Sequence, residues 1–179
     1  MPIFVLSVFL LFAFDQLTKS WVRAFVLEGD VYPLVPHFFD LVLTPNKGMA
    51  FGTLATMPAA VRVPVLLVVP LVVVATALVY GARASARLSR TARVGLVLVL
   101  GGALGNLADR LVYGQVTDFV RFRWFDRTLF INNVADDFIT VGGVLLALAI
   151  LRKELAPGAR PGASGQAGPA QAAQAARQP

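Results

Sequence analysis

The chain has 179 residues, of which 57% are hydrophobic and only 15% are charged, and its mean hydropathy is +0.71. Soluble domains carry about 25% charged residues, so the composition argues against a water-soluble enzyme or a nucleic-acid-binding protein despite the net charge of +6. Cysteine is absent and His37 is the single histidine. Disulfides and thiolate metal sites are therefore excluded, and a multi-histidine metal site is a poor fit.

Four apolar stretches are long enough to cross a bilayer, at about residues 3–26, 63–80, 92–111 and 134–151. A helix of about 18–20 residues covers roughly 27–30 Å, the thickness of the hydrocarbon core. Helices of a soluble bundle would show polar faces, and 63–80 contains no charged residue. The first stretch lacks the basic start and the small-residue cleavage site of a secretory signal peptide, so we expect it to be retained. The predicted fold class is a mainly α membrane protein with four transmembrane helices.

The charges of the connecting loops predict the orientation. The connection between the second and third stretches carries Arg83, Arg87, Arg90 and Arg93, whereas the segment 27–62 has two cations. The positive-inside rule therefore places the 81–93 loop and both termini in the cytoplasm. The segment 155–179 is rich in Ala, Gly, Pro and Gln and is predicted to be a disordered cytoplasmic tail, which leaves 1–154 as the membrane domain.

The two outer connections are predicted to contain strands. Phe38–Thr44 lies between two prolines, and Gln115–Trp124 alternates in polarity. The alternation places Asp118 on the apolar side of its strand, with Val116 and Val120. A carboxyl group is costly in that position, whereas the arginines on the opposite side can reach lipid headgroups.

In this topology, polar residues of three spans reach one level near the outer membrane surface, close to Asp118. They are Asp15, Lys19, Asn106, Asp109, Arg110, Asn133, Asp136 and Asp137. Ionisable groups within a membrane by default indicate function. Asp15 and Lys19 have the i,i+4 spacing of a structural ion pair, and Arg110 could neutralise Asp109. Since successive helical residues point about 100° apart, only one of Asp136 and Asp137 is expected to face Asp118.

Carboxylate chemistry is what such a cluster offers. Two neighbouring carboxyl groups in a low-dielectric site share a proton, so that one acts as a base and the other as an acid. Such a pair could activate a water molecule against an amide. The spacing is equally compatible with a proton or cation relay in a small transporter subunit, and a noncatalytic membrane adaptor is a third alternative.

Five segments together resemble the lipoprotein signal peptidase (signal peptidase II) family, in the family's order. They are Asp15-Gln-Leu-Thr-Lys19, Asn46-Lys-Gly-Met-Ala-Phe-Gly52, Gly101-Gly-Ala-Leu-Gly-Asn-Leu-Ala-Asp-Arg110, Gly114-Gln-Val-Thr-Asp-Phe119 and Asn133-Val-Ala-Asp136. The resemblance implies four membrane helices with a small β-rich cradle outside the cytoplasm. It also implies an aspartic endopeptidase of the bacterial inner membrane, with its active site near the outer face and with neither a metal nor an organic cofactor.

By the same resemblance, the substrates are lipid-modified prolipoprotein signal peptides, cut before the diacylglyceryl-modified cysteine, in a setting of membrane lipids. Asp118 and Asp136 match the two catalytic aspartates. Residues that bind substrate or support the dyad match Asn46, Gly48, Asn106, Arg110 and Asn133, while Asp15, Lys19 and Asp109 are expected to be structural. The chain departs from the family at Asn132, usually phenylalanine, and at Asp137, often a small or hydroxylic residue. The register of Asn133-Val-Ala favours Asp136 over Asp137 as the catalytic residue.

Overall fold

The computed structural model describes residues 2–47, 58–84 and 88–155. In these ranges the chain forms four helices, α1 (Pro2–Phe25), α2 (Ala59–Ala84), α3 (Arg90–Tyr113) and α4 (Val134–Leu155). It also forms four strands, β1 (Val31–Val35), β2 (Phe39–Asn46), β3 (Val116–Trp124) and β4 (Arg127–Asn132). Each of these helices is long and apolar enough to cross a membrane, which confirms the predicted fold class of four transmembrane helices with a small sheet. The predicted disordered tail lies outside the described residues.

The ends of α3 are determined by the local sequence. Ser89 precedes the helix, and its hydroxyl accepts a hydrogen bond from the backbone N–H of Ala92 at 3.1 Å, as an N-cap residue does. Gly114 follows the helix with a φ of 70°, and its N–H donates to the carbonyl oxygen of Arg110. Glycine takes this left-handed conformation without a steric cost. The chain can therefore turn at once from α3 into β3.

The strands form one antiparallel sheet in the order β1-β2-β3-β4. The predicted strand at Phe38–Thr44 corresponds to β2, and the one at Gln115–Trp124 corresponds to β3. Between them Thr44 pairs with Asp118, and Asn46 pairs with Val116. Because side chains alternate along a strand, the register places Asn46 on the same face of the sheet as Asp118.

Two apolar clusters hold the helices and the sheet together. Phe4, Val8, Val74 and Leu100 join α1, α2 and α3. At the other end of α1, Val22 and Val26 pack against Phe119 of β3. The sheet therefore adjoins the C-terminal end of α1, the same end of the helix that carries Asp15 and Lys19.

Glycines let α3 approach its neighbours closely. A Cβ atom on Gly102 would collide with the backbone oxygen of Ala135 in α4, and one on Gly105 would collide with the carboxylate of Asp15. Further along, Gly95 and Gly142 face each other in the same way. The first turn of α4 and the carboxylate of Asp15 are thus both brought against the C-terminal half of α3.

Residues 1–149 form one compact unit, and a second unit begins at residue 150. Of the second unit the structure describes the final residues of α4, up to Leu155. Many large apolar side chains of the first unit point outward from α1, including Phe9, Leu17 and Phe25. Such a surface suits contact with lipid and not with water.

Candidate active site

Asp118 lies near the start of β3 and is only 2% exposed. Asn46 of β2 donates from Nδ2 to one of its carboxylate oxygens at 2.8 Å, and Asn133 donates from Nδ2 to the other at 2.6 Å. Burial raises the pKa of Asp118 to about 6, and the charge of Asp136 acts in the same direction. The two amide donors lower the pKa, because they stabilise the ionised form. The carboxyl group can therefore change its protonation state close to neutral pH.

Asp136 belongs to the first turn of α4. Asn106 of α3 donates from Nδ2 to its Oδ1 at 2.7 Å. Asn133, fully buried, accepts at its own Oδ1 from the backbone N–H of Asp136 at 3.1 Å. Since the same Asn133 side chain donates to Asp118, a single amide connects the two segments that carry the aspartates. The structure thus brings together the two residues that the sequence predicts as the dyad.

Lys19 is a buried cation that donates a hydrogen bond to Asn106, the residue that in turn donates to Asp136. Its Nζ lies 2.9 Å from Asp15 Oδ2 and 3.3 Å from Asp109 Oδ2, and it donates to Asn106 Oδ1 at 2.8 Å. Lys19, Asp15 and Asp109 all have zero exposure. The predicted i,i+4 ion pair is confirmed. The expected pairing of Arg110 with Asp109 is not seen: within the described residues, the ion-pair partners of Asp109 are Lys19 and Arg23. Arg110 instead donates from Nη1 to the backbone oxygen of Asn106 at 3.4 Å.

Asp15 and Asp109 also accept hydrogen bonds from the backbone next to the two predicted catalytic residues, Asp136 and Asp118. Asp15 Oδ1 accepts from the N–H of Ala135 at 3.1 Å, and Asp109 Oδ2 accepts from the N–H of Thr117 at 2.9 Å. Ala135 immediately precedes Asp136, and Thr117 immediately precedes Asp118. The N–H groups of a first helical turn lack partners within the helix, so the bond to Ala135 also stabilises the start of α4.

Arg23, which was not among the predicted site residues, also belongs to this network. Its Nη1 donates to Thr117 Oγ1 at 2.7 Å and lies 3.5 Å from Asp109 Oδ1. A signal was available, because Asp15, Lys19 and Arg23 follow one another at intervals of four residues and share a helix face. Arg23 balances the charge of the group, which contains two buried aspartates and two cations.

Asp137 has a separate contact. Asn132 donates from Nδ2 to its Oδ1 at 2.7 Å, and Asp137 is exposed. The two residues at which the chain departs from the family pattern therefore bond to each other. Of the predicted site residues, Gly48 lies outside the described residues. His37 lies in the turn before β2, where its ring contacts that of Phe125 at a centroid distance of 5.4 Å.

Comparison with known proteins assigns this arrangement to a family. Residues 7–152 match the family described as Signal peptidase (SPase) II. A lipoprotein signal peptidase of Solibacter usitatus is 40% identical over 145 residues, covering 80% of this chain and 87% of the relative. One of Syntrophotalea carbinolica is 40% identical over 147 residues, covering 82% and 89%. One of Streptococcus pyogenes is 34% identical over 152 residues, covering 85% and 95%.

Solved structures agree in fold. A bacterial membrane enzyme determined by the in meso method at 2.3 Å resolution superposes with a TM-score of 0.75 at 24% identity, covering 89% of this chain and 94% of that one. A second, at 1.9 Å, gives a TM-score of 0.69 at 25% identity, covering 85% and 94%. The helices, the small sheet and the extent of the match lead to one assignment: the chain is a bacterial membrane protein that belongs to the signal peptidase II family of proteases.

Proposed function

We propose that the chain is an intramembrane aspartic endopeptidase that removes signal peptides from diacylglyceryl-modified prolipoproteins, cutting before the lipidated cysteine. The observation that carries the proposal is the bridge made by Asn133, which bonds to Asp118 through its amide nitrogen and to the backbone of Asp136 through its oxygen. The name shared by the relatives supports the substrate class. The alternative of an ion-coupled transporter subunit has no such support.

The proposed chemistry needs one proton shared between the two aspartates. The ionised carboxylate removes a proton from a water molecule, whose oxygen bonds to the carbon of the scissile carbonyl. The protonated carboxyl group gives its proton to the carbonyl oxygen, which forms a tetrahedral intermediate. When the carbon–nitrogen bond breaks, one carboxyl group gives its proton to the departing amine, and the other takes a proton from a hydroxyl of the intermediate as the carbonyl re-forms, so that the dyad again holds one shared proton. A carboxyl group with a pKa of about 6, like that of Asp118, suits proton transfer near neutral pH.

The surrounding residues have supporting roles in this proposal. An amide does not titrate and arginine remains protonated, so Asn106, Asn133 and Arg110 cannot act as the base. They can orient the carboxylates or bind the carbonyl oxygens of the substrate. We also place the site near the outer face of the inner membrane, at the ends of α1, α3 and α4 that adjoin the sheet.

Asparagine substitutions test the dyad, because they keep the shape of the side chain and remove its proton transfer. We expect Asp118→Asn and Asp136→Asn each to lower cleavage of a diacylglyceryl-modified prolipoprotein by about 100-fold or more, with normal amounts of protein in the membrane. Cleavage is followed in detergent with purified enzyme, and mass spectrometry of the product identifies its new N-terminal residue.

Asp137→Asn is the matched control. It removes a neighbouring carboxyl group from the same helical turn, and asparagine can still accept the hydrogen bond from Asn132. We expect this variant to keep most of the wild-type rate. Normal cleavage by both Asp118→Asn and Asp136→Asn would refute the aspartic mechanism. An inactive Asp137→Asn beside an active Asp136→Asn would move the catalytic position by one residue.

A further inference from the structure

The amide of Asn106 has one orientation open to it. On one side it faces the ammonium of Lys19 at 2.8 Å, and on the other it faces the Oδ1 of Asp136 at 2.7 Å. An ammonium group only donates hydrogen bonds, so Asn106 must present its oxygen to Lys19. Its NH₂ group is then left to point at Asp136. If a neutral hydrogen-bond acceptor replaced the ammonium of Lys19, the side-chain amide of Asn106 could flip. Its oxygen, instead of its NH₂ group, would then face the carboxylate of Asp136.

Lys19 is enclosed by polar partners. It is fully buried, and its Nζ lies within 3.3 Å of Asp15 on its own helix, of Asp109 on α3 and of the side-chain oxygen of Asn106. Its charge is among the causes that lower the pKa of Asp118. No atom of Lys19 is within bonding distance of either dyad carboxylate in the contacts described for these residues.

We infer that Lys19 is a positioning residue of the peptidase: its ammonium orients the amide of Asn106 so that this amide donates a hydrogen bond to Asp136. This inference rests on the proposed function, in which Asp136 is a member of the dyad. It gives Lys19 a role beyond holding α1 against α3 through Asp109 and Asn106. Lys19 acts through Asn106 and does not touch the reacting atoms.

Removing Lys19 alone would leave two buried aspartates with insufficient positive charge, and the protein could fail to fold. A charge-balanced variant avoids this problem. Lys19→Met combined with Asp15→Asn removes one cation and one anion, leaving Arg23 to pair with Asp109. The asparagine at position 15 retains an oxygen that can accept from the N–H of Ala135.

We expect the charge-balanced variant to fold, with a Tm close to that of the wild type, and to cleave the prolipoprotein with a kcat about 10- to 100-fold lower. The KM should change by less than about 3-fold, because the substrate does not contact Lys19 in this scheme.

Asn106→Leu is the partner in a double-mutant cycle. If Lys19 acts through Asn106, adding the charge-balanced change to Asn106→Leu lowers kcat no further than Asn106→Leu does alone. Multiplied losses in the combined variant, or a wild-type kcat in the charge-balanced variant, would overturn the inference. Asp136→Asn is measured beside them: if that variant cleaves normally, the proposed mechanism itself has failed, and this outcome is separate from the other two.

Discussion

Burial raises the pKa of Asp118 from 3.8 to about 6, although two amide groups donate hydrogen bonds to its oxygens. A carboxyl group with a raised pKa binds a proton more tightly in the folded state than in the unfolded one. The free energy of unfolding therefore falls as the pH rises through the window between these two values, by about 3 kcal/mol in total for a shift of this size. The residue best suited to proton transfer is thus held at the expense of stability.

This cost is measurable in the purified enzyme. We expect the Tm of Asp118→Asn to rise by several degrees relative to that of the wild type between pH 4 and pH 7, because asparagine does not titrate. Differential scanning fluorimetry across a pH series in one detergent makes the measurement. Asp126→Asn, an exposed carboxyl group in the turn between β3 and β4, is the matched control and should keep the wild-type slope. An unchanged slope in Asp118→Asn would mean that burial does not raise this pKa.

At the scale of elements, the position of Asp136 depends on how closely α4 approaches α3. Gly102 lies against the backbone oxygen of Ala135, the residue before Asp136, while the N–H of Ala135 bonds to Asp15. A methyl group at position 102 must therefore push away the first turn of α4. Backbone atoms cannot move away by rotation, as a flexible side chain can. We therefore expect the displacement to reach Asp136, the next residue after Ala135 and a member of the proposed dyad.

We expect Gly102→Ala to lower the free energy of unfolding by about 1–3 kcal/mol and to lower cleavage by about 10-fold or more through the displacement of Asp136. Gly143→Ala is the matched control: a Cβ atom there meets nothing within 4 Å, and alanine favours a helix over glycine by up to about 1 kcal/mol. That variant should be as stable as the wild type or more so. Equal behaviour of the two variants in thermal unfolding and cleavage would contradict the close contact at Gly102.

The elements differ in how far the sequence predicts them. The helices are predictable because hydropathy over about 20 residues suffices, and β3 is predictable because its polarity alternates. The strand β1 was not predicted individually, since all five of its residues are exposed and Pro33 interrupts the pattern. For the same reason β4, mostly exposed, has no alternation between buried and exposed positions to detect.

At the site, contacts within one helix were predictable from the sequence, whereas contacts between elements were not. The pair Asp15–Lys19 was predictable because both residues lie on one helix face. The partner of Asp109 was not: Arg110 is its neighbour in sequence, but adjacent helical residues point about 100° apart, and the observed partners Lys19 and Arg23 come from α1. The sequence does not indicate which faces of α1 and α3 meet, because this depends on how the folded helices pack. The bond between Asn132 and Asp137 was unpredictable for a similar reason, since it joins a strand to a helix.

At the scale of the whole molecule, a buried polar network connects α1, α3, α4 and β3. The side of the membrane on which this network lies determines which end of a substrate can reach the network. The arginines at positions 83, 87, 90 and 93 lie at the connection from α2 to α3, which the positive-inside rule places in the cytoplasm. Since α3 is long and apolar enough to cross the membrane, the sheet that follows it should lie on the outer side. A signal peptide that spans the membrane from the cytoplasm would then present its outer end to the dyad.

Because the chain contains no cysteine, single cysteines can report this topology without background. We expect Asp126→Cys, in the exposed turn between β3 and β4, to react with a membrane-impermeant maleimide in intact spheroplasts. Arg87→Cys should react only after lysis, and Arg152→Cys, at the end of α4, should behave like Arg87→Cys because α4 crosses back. Labelling of Asp126→Cys and Arg87→Cys from the same side would mean that α3 does not cross the membrane. Labelling of Arg87→Cys alone in intact spheroplasts would invert the orientation and place the dyad on the cytoplasmic side, where a signal peptide's outer end could not reach it.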